Sequence, residues 1–229
     1  PIDASSQGGL NEFEGFGVSV EEKRDRFDEA LDVVLRAWTG ERFSYEGRFH
    51  TVRDVKLNVV PLQRPRPPVW IAVLRNEAAA HVGKRGFPMM MIPYAPPEKL
   101  PELAETVAGF RDAFVAAGGD LKDATVPFGL HAYCSDSFER ATAEAKIAMD
   151  RYVRTRLYAK QRPYELLIEK NLVAFGSPED VVRVARLYEQ AGLTDFLAIT
   201  NFGGLAHARV LRSMELMAKH VLPAFGQRP

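Results

Sequence analysis

Between residues 21 and 38 the apolar side chains fall at Phe27, Leu31, Val34, Leu35 and Trp38. These three- and four-residue spacings mark one face of a helix, with acidic residues in its first turn and Gly40 just past its end. RFSYEGRFHTV then alternates about Glu46 and Gly47 and predicts a hairpin. The prolines of VVPLQRPRPPVW exclude a helix and predict an extended arm. The arm leads into residues 69 to 74, VWIAVL, short and apolar on both faces as a strand buried in a parallel sheet should be.

Beyond that point helical and strand patterns alternate. NEAAAHVGKRG precedes the strand PMMMIPY, and a helix is predicted from Pro97 to Ala117, with Leu100, Leu103, Val107, Phe110 and Phe114 inward and Gly118 and Gly119 closing it. VPFGLHAYC is a strand and DSFERATAEAKIAMDRYVRTRL a helix, while residues 159 to 172 read as an irregular connection. GSPEDVVRVARLYEQAG carries a full set of helix signals: Ser177 as N-cap, Pro178 first, Asp180 three after the cap and Gly192 past the end. DFLAIT is the last strand, and a helix from about Ala206 to His220 stops before Pro223.

This alternation predicts an α/β fold with a parallel sheet and right-handed crossovers. The core strands are residues 69 to 74, 88 to 93, 126 to 133 and 196 to 200. Periodicity leaves open whether they form a small open sheet or part of a closed (β/α) barrel of about 250 residues. No repeat, low-complexity tract or linker divides the chain, so residues 1 to 229 read as a single domain.

Thirty basic residues balance thirty acidic ones, which gives no reason to expect a nucleic-acid or membrane partner. The one cysteine, Cys134, cannot form an internal disulfide and fits a reducing, cytoplasmic setting. No signal peptide or bilayer-spanning run is visible. No Cys/His cluster, Asp-rich loop or metal-binding helix motif appears, so no metal is expected. A hydrolase or aldolase would need paired carboxylates or a Schiff-base lysine at strand ends, and neither is found.

NEFEGFGV, EEKRDRFDEALDVVLRAWTGERFSYEGRFHTV, PLQRPRPPVWIAV, GSPEDVV and TNFGGLAHARVLRSMELMAKHVLPAF together resemble the bacterial luciferase-like family of flavin-dependent monooxygenases and oxidoreductases. The resemblance implies a (β/α)8 barrel of TIM-barrel type that binds reduced FMN, or in some branches a deazaflavin, at the carboxyl ends of its strands. Members activate dioxygen and insert one atom into a small organic substrate, with a flavin reductase supplying the reduced flavin. It also implies that the opening PIDASSQGGL follows a fourth strand, so that strands five to eight are present and the N-terminal half is not. The expectation is then that the chain works with that half or as a homo-oligomer, and is inactive by itself. A non-catalytic relative that binds another small molecule is the alternative.

The same resemblance places the cofactor phosphate after the strand at residues 69 to 74, at Leu74, Arg75 and Asn76. Here Leu74, Arg75, Asn76 and Ala78 depart from the family's small and hydroxyl residues. Arg75 can still make a bidentate phosphate contact and Asn76 can cap the helix that follows; a surface arginine and a plain cap are the competing reading. Tyr94, Tyr133, Thr200, Asn201 and Phe202 are the candidate substrate-pocket residues. The amides of Gly203 and Gly204 suit an anion, although a tight turn explains the glycines better. His131 and Tyr133, one residue apart on a strand, share a face. His131 is the catalytic candidate, able to orient substrate or pass a proton, against the commoner role of a hydrogen-bonded core residue. Cys134 reads as a packed small hydrophobe, and Met89, Met90 and Met91 as packing or an apolar pocket wall.

Overall fold

A computed structural model describes residues 10–73, 76–91, 99–155 and 161–226. Leu74, Arg75 and Tyr94 lie outside the described residues. Contacts divide the chain into two compact units that meet between Ala72 and Val73.

The first unit begins with helix α1, Leu10–Gly15, and a short 3-10 turn at Val20–Glu22 capped by Ser19. Helix α2, Lys23–Ala37, follows where the apolar spacing places it, with Leu31 its buried residue. Strands β1, Phe43–Glu46, and β2, Thr51–Val55, pair antiparallel with Tyr45 opposite Val52 and Glu46 opposite Thr51. Glu29 of α2 ties the hairpin down, because its carboxylate accepts the backbone amides of Arg48 and Phe49 at 2.9 Å each and that of His50. Desolvation pushes the Glu29 carboxyl up, but the amides of Phe49, His50 and Arg48 outweigh it and hold it below the usual carboxylate range. Gly47 leaves room for this contact, since a Cβ there would lie 2.4 Å from the Glu29 carboxylate and displace it.

The second unit is built on a parallel sheet. β3, Ile71–Val73, runs across the boundary into it, and the further strands are β4, Met89–Met91, β5, Pro127–Cys134, β6, Ala174–Gly176, and β7, Asp195–Ile199. The order is β3-β4-β5-β6, with β7 also paired to β5. β4 meets β5 at Met91 and Phe128, β7 runs beside β5 from Pro127 to His131, and β6 joins only its carboxyl end, from Ala132 to Cys134. All eight residues of β5 are buried, which makes it the spine of the unit.

The helices are α3, Asn76–Lys84, α4, Leu100–Ala116, α5, Phe138–Thr155, α6, Tyr164–Glu169, α7, Pro178–Gln190, and α8, His207–Leu216. Leu103, Val107, Phe110 and Phe114 of α4 are buried as their spacing requires, while Leu100 is half-buried. α3 and α4 approach closely at Gly83, where a Cβ would come within 2.5 Å of the Phe110 carbonyl oxygen. α7 has the expected start: Ser177 and Asp180 exchange side-chain to backbone hydrogen bonds in a capping box, with Pro178 in the first turn.

Four elements differ from the sequence reading, the first being α1, which has no counterpart in it. β6 is an additional strand, and α6 lies within the stretch read as irregular. The last helix does not stop before Pro223 but continues through a π segment, Met217–Val221, into a 3-10 turn, Leu222–Phe225, whose first turn accommodates the proline.

Candidate functional site

In a β/α barrel the functional groups gather at the carboxyl ends of the strands. In this chain those ends are followed by α3, by the Ser135–Ser137 turn into α5, and by the loop from Thr200 to Ala206.

After β3, Asn76 is the first residue of α3 rather than the residue before it. Its Oδ1 is buried and accepts no hydrogen bond, so it caps none of the helix amides. The first backbone N–H groups of this nine-residue helix have no partner within the helix.

β5 delivers its side chains to opposite faces. Phe128 stacks on Tyr188 of α7 at 5.1 Å and on Phe196 of β7 at 5.3 Å. His131 and Tyr133, on the alternate face, meet α5 instead. The His131 ring lies edge-on to Tyr152 at 4.4 Å and to Phe202 at 5.0 Å, and the residue is 0% exposed. His131 is therefore packed beneath α5 and not on an open wall. Phe202, 4% exposed, stacks on Phe175 of β6 at 5.5 Å with the planes 7° apart, inside the same apolar cluster. Thr200 is half-buried and Asn201 exposed, so of the post-β7 candidates these two retain access to solvent.

The close approach of α5 explains Gly203 and Gly204. A Cβ on Gly203 would sit 1.7 Å from the Ala148 carbonyl oxygen, and Arg151 donates to the Gly203 carbonyl at 3.2 Å. Small residues at Ala141, Ala145 and Ala148 bring α5 this near the cluster. The two glycines have φ of 55° and 75°, which a turn of this shape requires. With a helix carbonyl pressed on Gly203, the turn serves packing rather than an anion.

Tyr133 carries chemistry that its sequence neighbours do not reveal. Its hydroxyl donates to Glu144 Oε2 at 2.7 Å, Arg140 Nε donates to Glu144 Oε1 at 3.0 Å, and Arg140 also bridges to Asp136 at 2.6 Å. Burial, followed by the hydrogen bond to Glu144 and its charge, drives the Tyr133 phenol far above its ordinary value. Burial would raise Glu144 too, but the hydrogen bonds from Tyr133 and Arg140 prevail and hold its carboxyl low. The sequence offered one sign of this site, the four-residue spacings from Asp136, just before α5, to Arg140 and Glu144 on it. Tyr133 itself comes from a different element.

Cys134 is buried, and burial first, then the charges of Glu179, Asp136 and Asp180, push its thiol up to about 11, which disfavours the nucleophilic thiolate. Its backbone amide is held by Ser213 Oγ of α8 at 2.8 Å. Met89 and Met91 are fully buried core residues and Met90 is half-buried. Among the described residues no three of His, Cys, Asp and Glu converge as a metal would require, and no helix is long and apolar enough to cross a membrane. Two clefts, of about 370 Å³ between Pro178, Arg183 and His220 and about 420 Å³ between Phe138, Lys146 and Ile168, are lined by none of the candidate residues.

Comparison with known proteins agrees with this architecture. The chain is 27% identical over 237 residues to the uncharacterized protein y4vJ of Sinorhizobium fredii, covering 93% of this chain and 65% of that protein. It is 24% identical over 177 residues to an F420-dependent glucose-6-phosphate dehydrogenase of Microbacterium testaceum, covering 72% and 52%. It is 22% identical over 223 residues to the oxygenase component of the flavin-dependent trigonelline monooxygenase of Acinetobacter baylyi, covering 88% and 60%. The chain thus spans between about half and two thirds of the length of these relatives. Among solved structures, the monooxygenase RslO1 from Streptomyces bottropensis superposes with a TM-score of 0.85 at 24% identity, over 96% of this chain and 67% of that one. The sheet of this chain is accordingly part of a TIM-type barrel. The family model for luciferase-like monooxygenases matches residues 4–174, and the chain belongs to that family.

Proposed function

We propose that the chain is part of a flavin-dependent monooxygenase or oxidoreductase that uses reduced FMN and dioxygen on a small organic substrate. The observation that carries the cofactor side of this reading is the start of α3 just after the carboxyl end of β3, where the first helix amides have no partner within the helix and Asn76 stands as the first residue. Helix N-termini favour phosphate through their free amides and the positive end of the helix dipole. The α3 amides and the Asn76 side-chain Nδ2 would donate to the phosphate, with Leu74 and Arg75 adjoining in sequence. Bound reduced FMN would supply the electrons for dioxygen activation. The protein's part is to hold the cofactor, exclude water and place the substrate, and Thr200 and Asn201 are the solvent-accessible candidates for that last task.

A likeness to the oxygenase component of a flavin-dependent enzyme supports a separate reductase partner. The likeness to an F420-dependent enzyme supports a second reading in which a deazaflavin takes the place of FMN. Both cofactors present a phosphate, so the Asn76 argument serves either.

Fluorescence titration of the chain with FMN, riboflavin and F420 tests the proposal. The expected result is that FMN or F420 binds more tightly than riboflavin, and that Asn76→Ala erodes this preference by about 1 kcal/mol, the size of one hydrogen bond. Equal affinity for FMN and riboflavin, with F420 no better, would remove the phosphate site. Tight binding of F420 alone would select the deazaflavin reading.

A further inference from the structure

The described tyrosines whose hydroxyl partners are defined fall into two kinds. Tyr164 donates to the Thr142 carbonyl at 2.7 Å and Tyr188 to the Asn171 carbonyl at 2.8 Å. A peptide carbonyl is too weak a base to take a phenol proton. Tyr133 donates at 2.7 Å to the carboxylate of Glu144, which can take it.

We propose that Tyr133 is a redox-active tyrosine. When it loses one electron to a one-electron oxidant, such as a diffusible oxygen-centred radical, its phenol proton crosses the 2.7 Å hydrogen bond to Glu144. The O–H bond of Tyr133 breaks and an O–H bond forms on Glu144 Oε2. The products are a neutral tyrosyl radical, a protonated Glu144 and an oxidant reduced by one electron, so charge and atoms balance.

Four features of the site serve this step. Tyr133 is 2% exposed and lies in an apolar cluster with Ala141, Ala145 and Phe175, which shields a radical from solvent. Arg140, anchored to Asp136, holds the Glu144 carboxylate in line with the phenol. The side chain of Glu144 is 19% exposed, so the transferred proton has a way out to water. Burial and Glu144 keep the phenol protonated at rest, while Tyr133 and Arg140 keep Glu144 ionised, so before oxidation the donor is loaded and the acceptor empty. The site lies at the carboxyl end of β5. The proposal does not depend on the cofactor reading, because any oxidant of sufficient potential drives the same step.

The 229-residue chain can be flash-oxidised with photogenerated tris(bipyridine)ruthenium(III) and examined by electron paramagnetic resonance and transient absorption. The wild type is expected to give a neutral tyrosyl signal whose formation slows in deuterium oxide. Tyr133→Phe removes the main signal, whereas Tyr164→Phe and Tyr188→Phe leave it in place. Glu144→Gln preserves the shape but cannot accept the proton, and should slow formation about tenfold, equivalent to ~1.4 kcal/mol of barrier. Persistence of the full signal in Tyr133→Phe, or its loss in Tyr164→Phe or Tyr188→Phe with circular dichroism unchanged, overturns the assignment. So does wild-type speed and isotope effect in Glu144→Gln.

Discussion

At Gly203 the absence of a side chain decides whether α5 can reach the core. A methyl group there would overlap the Ala148 carbonyl at 1.7 Å, and that carbonyl belongs to a helix backbone that cannot swing aside. The φ of 55° adds strain for any other residue. Gly203→Ala should therefore destabilise the fold by about 1–3 kcal/mol, the range for overpacking, as read by urea unfolding. Gly86→Ala is a useful control, since nothing lies within 4 Å of the position and its φ of 71° is also positive. If the two variants lose the same small amount, the contact with Ala148 is not what requires glycine. The same contact bears on His131 and Phe202, both of which α5 buries with Gly203 beneath it.

Among the elements, α7 is the one whose start is most fully specified. Ser177 Oγ accepts the Asp180 amide, and Asp180 Oδ2 accepts the Ser177 amide at 3.0 Å, so two otherwise unpaired amides are satisfied together. The box sits directly after β6, where a Cβ on Gly176 would meet Asp180 at 2.4 Å, so cap and strand constrain each other. Ser177→Ala should lower stability by about 1 kcal/mol, measured by thermal or urea unfolding with helix content otherwise retained. A loss near zero would mean that packing of Val181, Val184, Ala185 and Tyr188 alone fixes where α7 begins.

For the molecule as a whole, β7 is the strand with most left to satisfy. Among the described residues it pairs with β5 alone, and Leu197 is 43% exposed although its strand belongs to a parallel sheet of the kind normally covered on both faces. An unpaired strand edge beside exposed apolar residues invites another polypeptide. We expect the purified chain to run above its 25.6 kDa monomer mass in light scattering, and Leu197→Lys to shift it toward monomer. A monodisperse monomer that unfolds cooperatively would count against this. Association with another barrel segment would also serve the proposed function, since a barrel site is assembled from the loops of several strands.

The linear sequence determined most of the helices, the hairpin and the long strand β5, because each has a local cause: apolar spacing, a cap, a turn or a proline. The gathering of short motifs along the chain made the family legible for the same reason, since motifs are properties of order and spacing. Other features had no local cause to read. Ala174–Gly176 is three residues without alternation, and it is a strand because the carboxyl end of β5 offers it a partner. α6 is six residues long, too short to announce itself by periodicity. His131 and Phe202 stood at positions that suggest a pocket, and only the seating of α5 on small residues showed them covered. Tyr133 and Glu144 lie 11 residues apart on a strand and a helix, so their hydrogen bond exists only once tertiary packing brings the two elements face to face.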